Sequence, residues 1–96
     1  MKLSIIIPIY NEEPNIIILY DRITKVCSDI TPEYELLFIN DGSRDRSIYL
    51  IHELSKKDNK VKYINFARNF GHQIAVMAGI DHVKGNAVVI IDADLQ

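Results

Sequence analysis

The sequence predicts an α/β fold of the Rossmann-like type, a parallel sheet of about four strands with helices on both faces. Three observations carry that expectation. Four short apolar runs, at 3–10, 34–40, 61–67 and 87–91, are separated by three stretches with helical spacing of apolar residues. Strand and helix alternate throughout, which is the pattern of right-handed crossovers joining parallel strands. The runs are nearly unbroken in their apolar character, as strands covered on both sides are.

Each element has a local reason. "LSIIIPIY" is rich in β-branched residues and too short for a helix, so it reads as a buried strand. "NEEPN" breaks it, and Pro14 suits the first turn of a helix, where its missing N–H is not needed. Ile16, Leu19, Ile23, Val26 or Cys27, and Ile30 then give one apolar face. Thr31-Pro32 ends that helix, because the residue before a proline is pushed out of the helical region. "YELLFIN" is the second strand and "DGSRD" a turn, with Asp45 placed to cap a helix carrying Ile48, Ile51 and Leu54 on one side. "KKDNK" closes it. "VKYINFA" is the third strand, and "RNFGHQ" turns into a third helix bearing Ile74, Met77, Ala78 and Val83, with Gly85 as its C-terminal cap. "AVVII" is the fourth strand.

Composition narrows the function classes. A chain of 96 residues is one small domain, burying somewhat over ~60% of its unfolded surface. With 48% hydrophobic and 25% charged residues it belongs with ordinary globular chains. A formal charge of −2 gives no electrostatic case for nucleic acid as a partner. Cys27 is the single cysteine, which excludes an intrachain disulfide or cysteine metal cluster and suits a reducing compartment. No apolar run approaches the ~20 residues of a membrane-spanning helix.

In an open parallel sheet, ligands bind beyond the carboxyl ends of the strands, where the strand order reverses. Those ends are polar here: Tyr10-Asn11-Glu12-Glu13, Asn40-Asp41-Gly42-Ser43, Ala67-Arg68-Asn69 and Asp92-Ala93-Asp94. Neither a G-x-G-x-x-G cradle nor a Walker-type loop is present, so a bound pyrophosphate needs positive charge from another source. Asp92 and Asp94 leave an extended backbone on the same face, and without a cation they repel. Mg²⁺ or Mn²⁺ is commonly held by one or two carboxylates plus substrate phosphate. Tyr10 is suited to stack on a base, Asp41 to accept hydrogen bonds from a base edge, and Arg68 to meet phosphate as a bidentate donor. His72 reads as a residue that caps or solvates the third helix, and His52 and His82 as exposed helical residues.

Taken together, "SIIIPIYNEEPNI", "YELLFINDGSRDRS" and "INFARNFGHQIAVMAGIDHVKGNAVVIIDADLQ" resemble the N-terminal half of the family 2 inverting glycosyltransferases of the GT-A fold. The similarity is greatest to the branch of dolichol-phosphate mannose synthase and the bacterial polyprenyl-phosphate glucosyltransferases. It covers essentially all of residues 1–96. The resemblance implies transfer of a sugar, with inversion, from a UDP- or GDP-linked donor to a polyisoprenyl phosphate. It assigns Pro8, Tyr10 and Glu12 to the nucleotide pocket, Asp41 to the base, Arg68 to the vicinity of the donor, and Asp92, Asp94 and Gln96 to the metal that bridges the diphosphate. Asp92 and Asp94 are thereby the catalytic pair, with Asp92 also reaching the nucleotide.

Family members extend well beyond this length, so the chain reads as the donor-binding half of an enzyme, with the acceptor half absent. The expectation is that the 96 residues alone hold the donor without transferring sugar. The fragment is expected in the cytoplasm, and the full-length protein on the cytoplasmic face of a membrane. Two other readings fit parts of the sequence: a non-catalytic nucleotide-binding or interaction module, and an aspartate-nucleophile phosphatase, whose D-x-D normally follows the first strand rather than the fourth. The fourth strand lacks the neighbour that a longer sheet supplies, which predicts homo-oligomers through the exposed sheet edge.

Overall fold

The computed structural model describes residues 2–83 and 85–93. In chain order these form β1 (Leu3–Ile9), a 3-10 turn (Glu13–Asn15), α1 (Ile16–Ile30), β2 (Tyr34–Asn40), α2 (Ser47–Lys57), β3 (Val61–Asn65), α3 (His72–His82) and β4 (Ala87–Ile90). The strands pair in parallel throughout, in the order β3-β2-β1-β4. The expected α/β architecture is therefore present, with β1, β3 and β4 ending slightly before their apolar runs do.

Successive residues of a strand face opposite sides of the sheet, and β1 uses both. Leu3, Ile5, Ile7 and Ile9 pack with Phe38 of β2 and with Ile16, Leu19, Ile23, Cys27, Ile51 and Leu54 from α1 and α2. Ile6 faces the other way, toward Leu37, Ile39 and Ala75 of α3. Ile6 and Ile7 are both 0% exposed, so the sheet is covered on both faces at its centre. Each such side chain contributes about 1.5–3 kcal/mol by leaving water.

Two helical faces differ from the sequence reading. On α1 the buried line runs Ile16, Leu19, Ile23, Cys27, while Val26 and Ile30 are exposed. Burial raises the pKa of the Cys27 thiol. On α3 the buried residues are Ala75 and Gly79, and Ile74 and Met77 point outward. The reason is the closeness of the packing: a Cβ on Gly79 would stand 2.6 Å from Cγ2 of Ile6. Only small residues fit between α3 and the sheet, so the bulky ones occupy the outer face. Gly85 is not the cap of α3, which ends at His82 with an extended Val83. Gly85 instead donates its N–H to Ser4 Oγ at 2.9 Å, where a side chain of its own would collide with that same oxygen. Among the described residues no helix is long and apolar enough to cross a membrane.

Candidate functional site

The chain runs outward from β1 through β2 to β3, then returns to place β4 on the opposite side of β1. The strand order thus reverses between β1 and β4, and a crevice opens beyond their carboxyl ends. It is a cleft of about 660 Å³. That volume is in the range of small-molecule sites, ~300–1,000 Å³. Pro8, Ile9, Tyr10 and Glu12 supply one wall, Asp41 and Asn69 the floor toward β2, Gly71 and His72 the start of α3, and Asp92 and Ala93 the end of β4.

The wall after β1 depends on an unusual backbone. Asn11 has φ of +54°, a left-handed conformation that asparagine tolerates better than most residues. It is locked by two bonds to the loop after β2: its N–H donates to Ser43 Oγ at 2.9 Å, and its Oδ1 accepts the Arg44 N–H at 2.7 Å. Tyr10 is left 45% exposed at the cleft, available for a ring contact with a ligand. Glu12 is half-buried, and its Oε2 accepts the Asn15 side-chain amide at 2.8 Å.

The floor is organised by Asp41, which is 4% exposed. Its Oδ1 accepts the N–H of Phe70 at 2.7 Å, and its Oδ2 accepts the N–H of Gly71 at 3.0 Å and the Asn69 amide at 3.1 Å. The residue expected to meet a base therefore also holds the loop that leads into α3. Gly42 lets the two loops touch: with φ of +69°, a Cβ there would stand 2.3 Å from the carbonyl carbon of Arg68. Arg68 itself is exposed and is not among the residues lining the cleft; its guanidinium lies 4.7 Å from the centre of the Phe70 ring.

Asp92 is exposed at the cleft, with Oδ1 3.8 Å from Nε2 of His72. His72, read from sequence as a helix-capping or solvated residue, is thus a wall of the site. Its one sequence signal is its position directly after Gly71, at the first residue of α3. Asp94 and Gln96 lie outside the described residues, and no cluster of three or more metal-binding side chains occurs among the described ones. The donor set nonetheless fits a hard divalent cation. Asp92 offers an exposed carboxylate, and Mg²⁺ or Mn²⁺ accepts one or two carboxylates completed by phosphate and water. Glu12, Asp41 and Asp92 line the cleft without a lysine or arginine among the described lining residues. At ~5 Å and an effective dielectric constant of about 20, each of these charges would repel a phosphate by about 3 kcal/mol. A bound cation would offset that repulsion.

Comparison with known proteins agrees with this geometry. Residues 4–96 match the model of glycosyl transferase family 2. The chain is 54% identical over its whole length to the uncharacterized glycosyltransferase YkcC of Bacillus subtilis (strain 168), covering 30% of that protein. It is 42% identical, over 99% of its length, to the undecaprenyl-phosphate 4-deoxy-4-formamido-L-arabinose transferase of Photorhabdus laumondii subsp. laumondii, again covering 30%. The chain therefore spans under a third of the length of these relatives. Among solved structures, S. aureus TarS in complex with UDP superposes with a TM-score of 0.77 at 25% identity, over 98% of this chain and 28% of that one. A mannosyltransferase from Pyrobaculum calidifontis in complex with GDP-Man and Mn2+ shares the fold, with a TM-score of 0.82 at 22% identity, over 97% of this chain and 27% of that one. Four parallel strands with helices on both faces, a cleft at the strand-order reversal and a family match over nearly every residue agree: the chain belongs to glycosyl transferase family 2.

Proposed function

We propose that these residues form the nucleotide-sugar-binding part of a glycosyltransferase that moves a sugar from a UDP- or GDP-linked donor to a polyisoprenyl phosphate, with inversion, at the cytoplasmic face of a membrane. The observation that carries the reading is the cleft at the β1/β4 reversal, where Pro8, Tyr10, Glu12, Asp41 and Asp92 converge from three strand ends. The undecaprenyl-phosphate transferase among the relatives supports the acceptor class. Family membership favours this reading over the aspartate-nucleophile phosphatase.

The residues divide the work by chemistry. Tyr10 offers its ring to the base, and Asp41 keeps acceptor capacity on Oδ1, which holds a single hydrogen bond among the described residues. Asp92, with Asp94 and Gln96 as the resemblance implies, would hold Mg²⁺ or Mn²⁺. When bound, the metal acts as a Lewis acid on the departing nucleoside diphosphate. An acceptor phosphate is already an anion, so its attack needs little help from a general base. Asp92 and Asp94 thus serve departure of the leaving group rather than activation of the nucleophile. Acceptor selection belongs to segments beyond these 96 residues, and the chain alone is expected to bind donor without turnover.

Calorimetry with UDP, GDP and Mn²⁺ tests the reading. Binding that requires the metal and is lost in Asp92→Ala and in Asp94→Ala is the expected result. Binding indifferent to both substitutions contradicts it.

A further inference from the structure

We infer that Asp45, which does not line the cleft, is a positioning residue that fixes the segment carrying Tyr10 and Glu12. The inference rests on the reading of the cleft as a nucleotide site.

Three consecutive amides of that segment end on side-chain oxygens of the loop after β2 and of the first residue of α2. The N–H of Asn11 donates to Ser43 Oγ at 2.9 Å, that of Glu12 to Ser47 Oγ at 3.2 Å, and that of Glu13 to Asp45 Oδ2 at 3.1 Å. The loop after β2 is held in return: Glu13 Oε1 accepts the Arg46 N–H at 3.0 Å, and Asn11 Oδ1 accepts the Arg44 N–H at 2.7 Å. These are amides that precede α1 and have no strand partner, so a side-chain oxygen is what satisfies them.

Asp45 occupies the centre of this exchange. Its Oδ1 accepts the N–H of Ser47, at 2.9 Å, while Oδ2 takes Glu13. Ser47, fully buried and held to Asp45 by its N–H, accepts the Glu12 N–H on its hydroxyl. One carboxylate thus governs two adjacent amides of the cleft wall, Glu13 directly and Glu12 through Ser47. Burial pushes the Asp45 carboxyl up, but hydrogen bonds from the Ser47 hydroxyl, the Ser47 N–H and the Glu13 N–H outweigh it and hold the group below its ordinary value. It is charged at neutral pH, and charged acceptors hold N–H groups roughly twice as strongly as neutral ones. Without it, the segment that turns Tyr10 and Glu12 toward the cleft keeps its anchor at Asn11 but loses the one at Glu12 and Glu13. Asp45 was expected from sequence to be an ordinary helix cap; it lies one residue before the cap position, which Arg46 fills.

The test combines amide hydrogen exchange with nucleotide affinity in Asp45→Ala and Asp45→Asn. In Asp45→Ala, exchange at Glu12 and Glu13 should quicken about tenfold while the amides of β2 keep their protection. Affinity for UDP or GDP with Mn²⁺ should fall about tenfold, and this loss should be non-additive with that of Glu12→Ala, as expected when one residue acts through the other. Asp45→Asn, which keeps one acceptor oxygen, should recover part of the affinity. Unchanged exchange at Glu12 and Glu13, or an affinity loss strictly additive with Glu12→Ala, overturns the inference. Absence of nucleotide binding in the unaltered protein contradicts the donor-site reading instead. The exchange rates then decide on Asp45 alone, supporting its role if raised and overturning it if unchanged.

Discussion

Oδ1 of Asp41 accepts the backbone N–H of Phe70 at 2.7 Å, joining the end of β2 to the loop that starts α3. The same carboxylate holds Gly71 and Asn69, so its removal takes the acceptor from three partly buried hydrogen bonds. Asp41→Ala should cost about 1.5–3 kcal/mol of stability, the range for a hydrogen bond to a charged group, together with nucleotide affinity. Urea denaturation checks the first part. An unchanged midpoint would show that the loop is held by other contacts.

Gly42 faces the same loop without any room. Its φ of +69° and the 2.3 Å approach to the Arg68 backbone act together against a side chain. Gly42→Ala should destabilise by about 2–4 kcal/mol, combining the left-handed penalty with a backbone displacement. A melting temperature within error of the unaltered protein would contradict the close approach.

The lowered Asp45 carboxyl makes a pH prediction. A depressed acid contributes stability that is fully present above its ordinary value of 3.8 and is lost as pH falls through its lowered value in the folded protein. The stability gap between the unaltered protein and Asp45→Asn should therefore be widest at neutral pH and narrow in acid. Urea midpoints measured across that interval test it, and a gap constant with pH would mean that Asp45 carries no such linkage.

β4 is an outer strand of the described sheet, with Val88, Val89 and Ile90 each more than 40% exposed and Met77 of α3 at 64%. An apolar strand with unpaired backbone groups is a template for pairing. The 96-residue chain is expected to self-associate, and Val89→Lys should shift it toward monomer. Light scattering that finds only monomer at high concentration would contradict this.

Much of this fold is legible from residue type because β1 and β2 are covered on both faces and read as apolar runs. The start of α1 is equally plain, since Pro14 marks the entry and Thr31-Pro32 the exit. α3 resists such reading. Its contact with Ile6 is made by Ala75 and Gly79, residues that contribute little to an apolar pattern, while Ile74 and Met77 draw attention to the outward face. The strand-end positions Tyr10, Glu12, Asp41 and Asp92 stand out because polar residues at those ends have no core role, whereas Pro8 is reached only through the family resemblance. His72 could not, because its place on the cleft wall depends on α3 beginning there and on β4 lying next to β1. Arg68 shows the converse. Its charge suggested a phosphate contact, but the backbone turn that brings Asn69 to Asp41 leaves the guanidinium over Phe70.

The central claim is that the β1/β4 cleft takes a nucleotide together with a divalent cation, and paramagnetic broadening by Mn²⁺ in amide NMR spectra tests it most directly. With UDP or GDP present, the account predicts loss of signal from Tyr10, Gly71, His72 and Asp92, abolished by Asp92→Ala. Signals from Lys60 and Lys62, at the amino end of the sheet, should persist. Broadening centred on Lys60 and Lys62, or none around the cleft with either nucleotide, would contradict it.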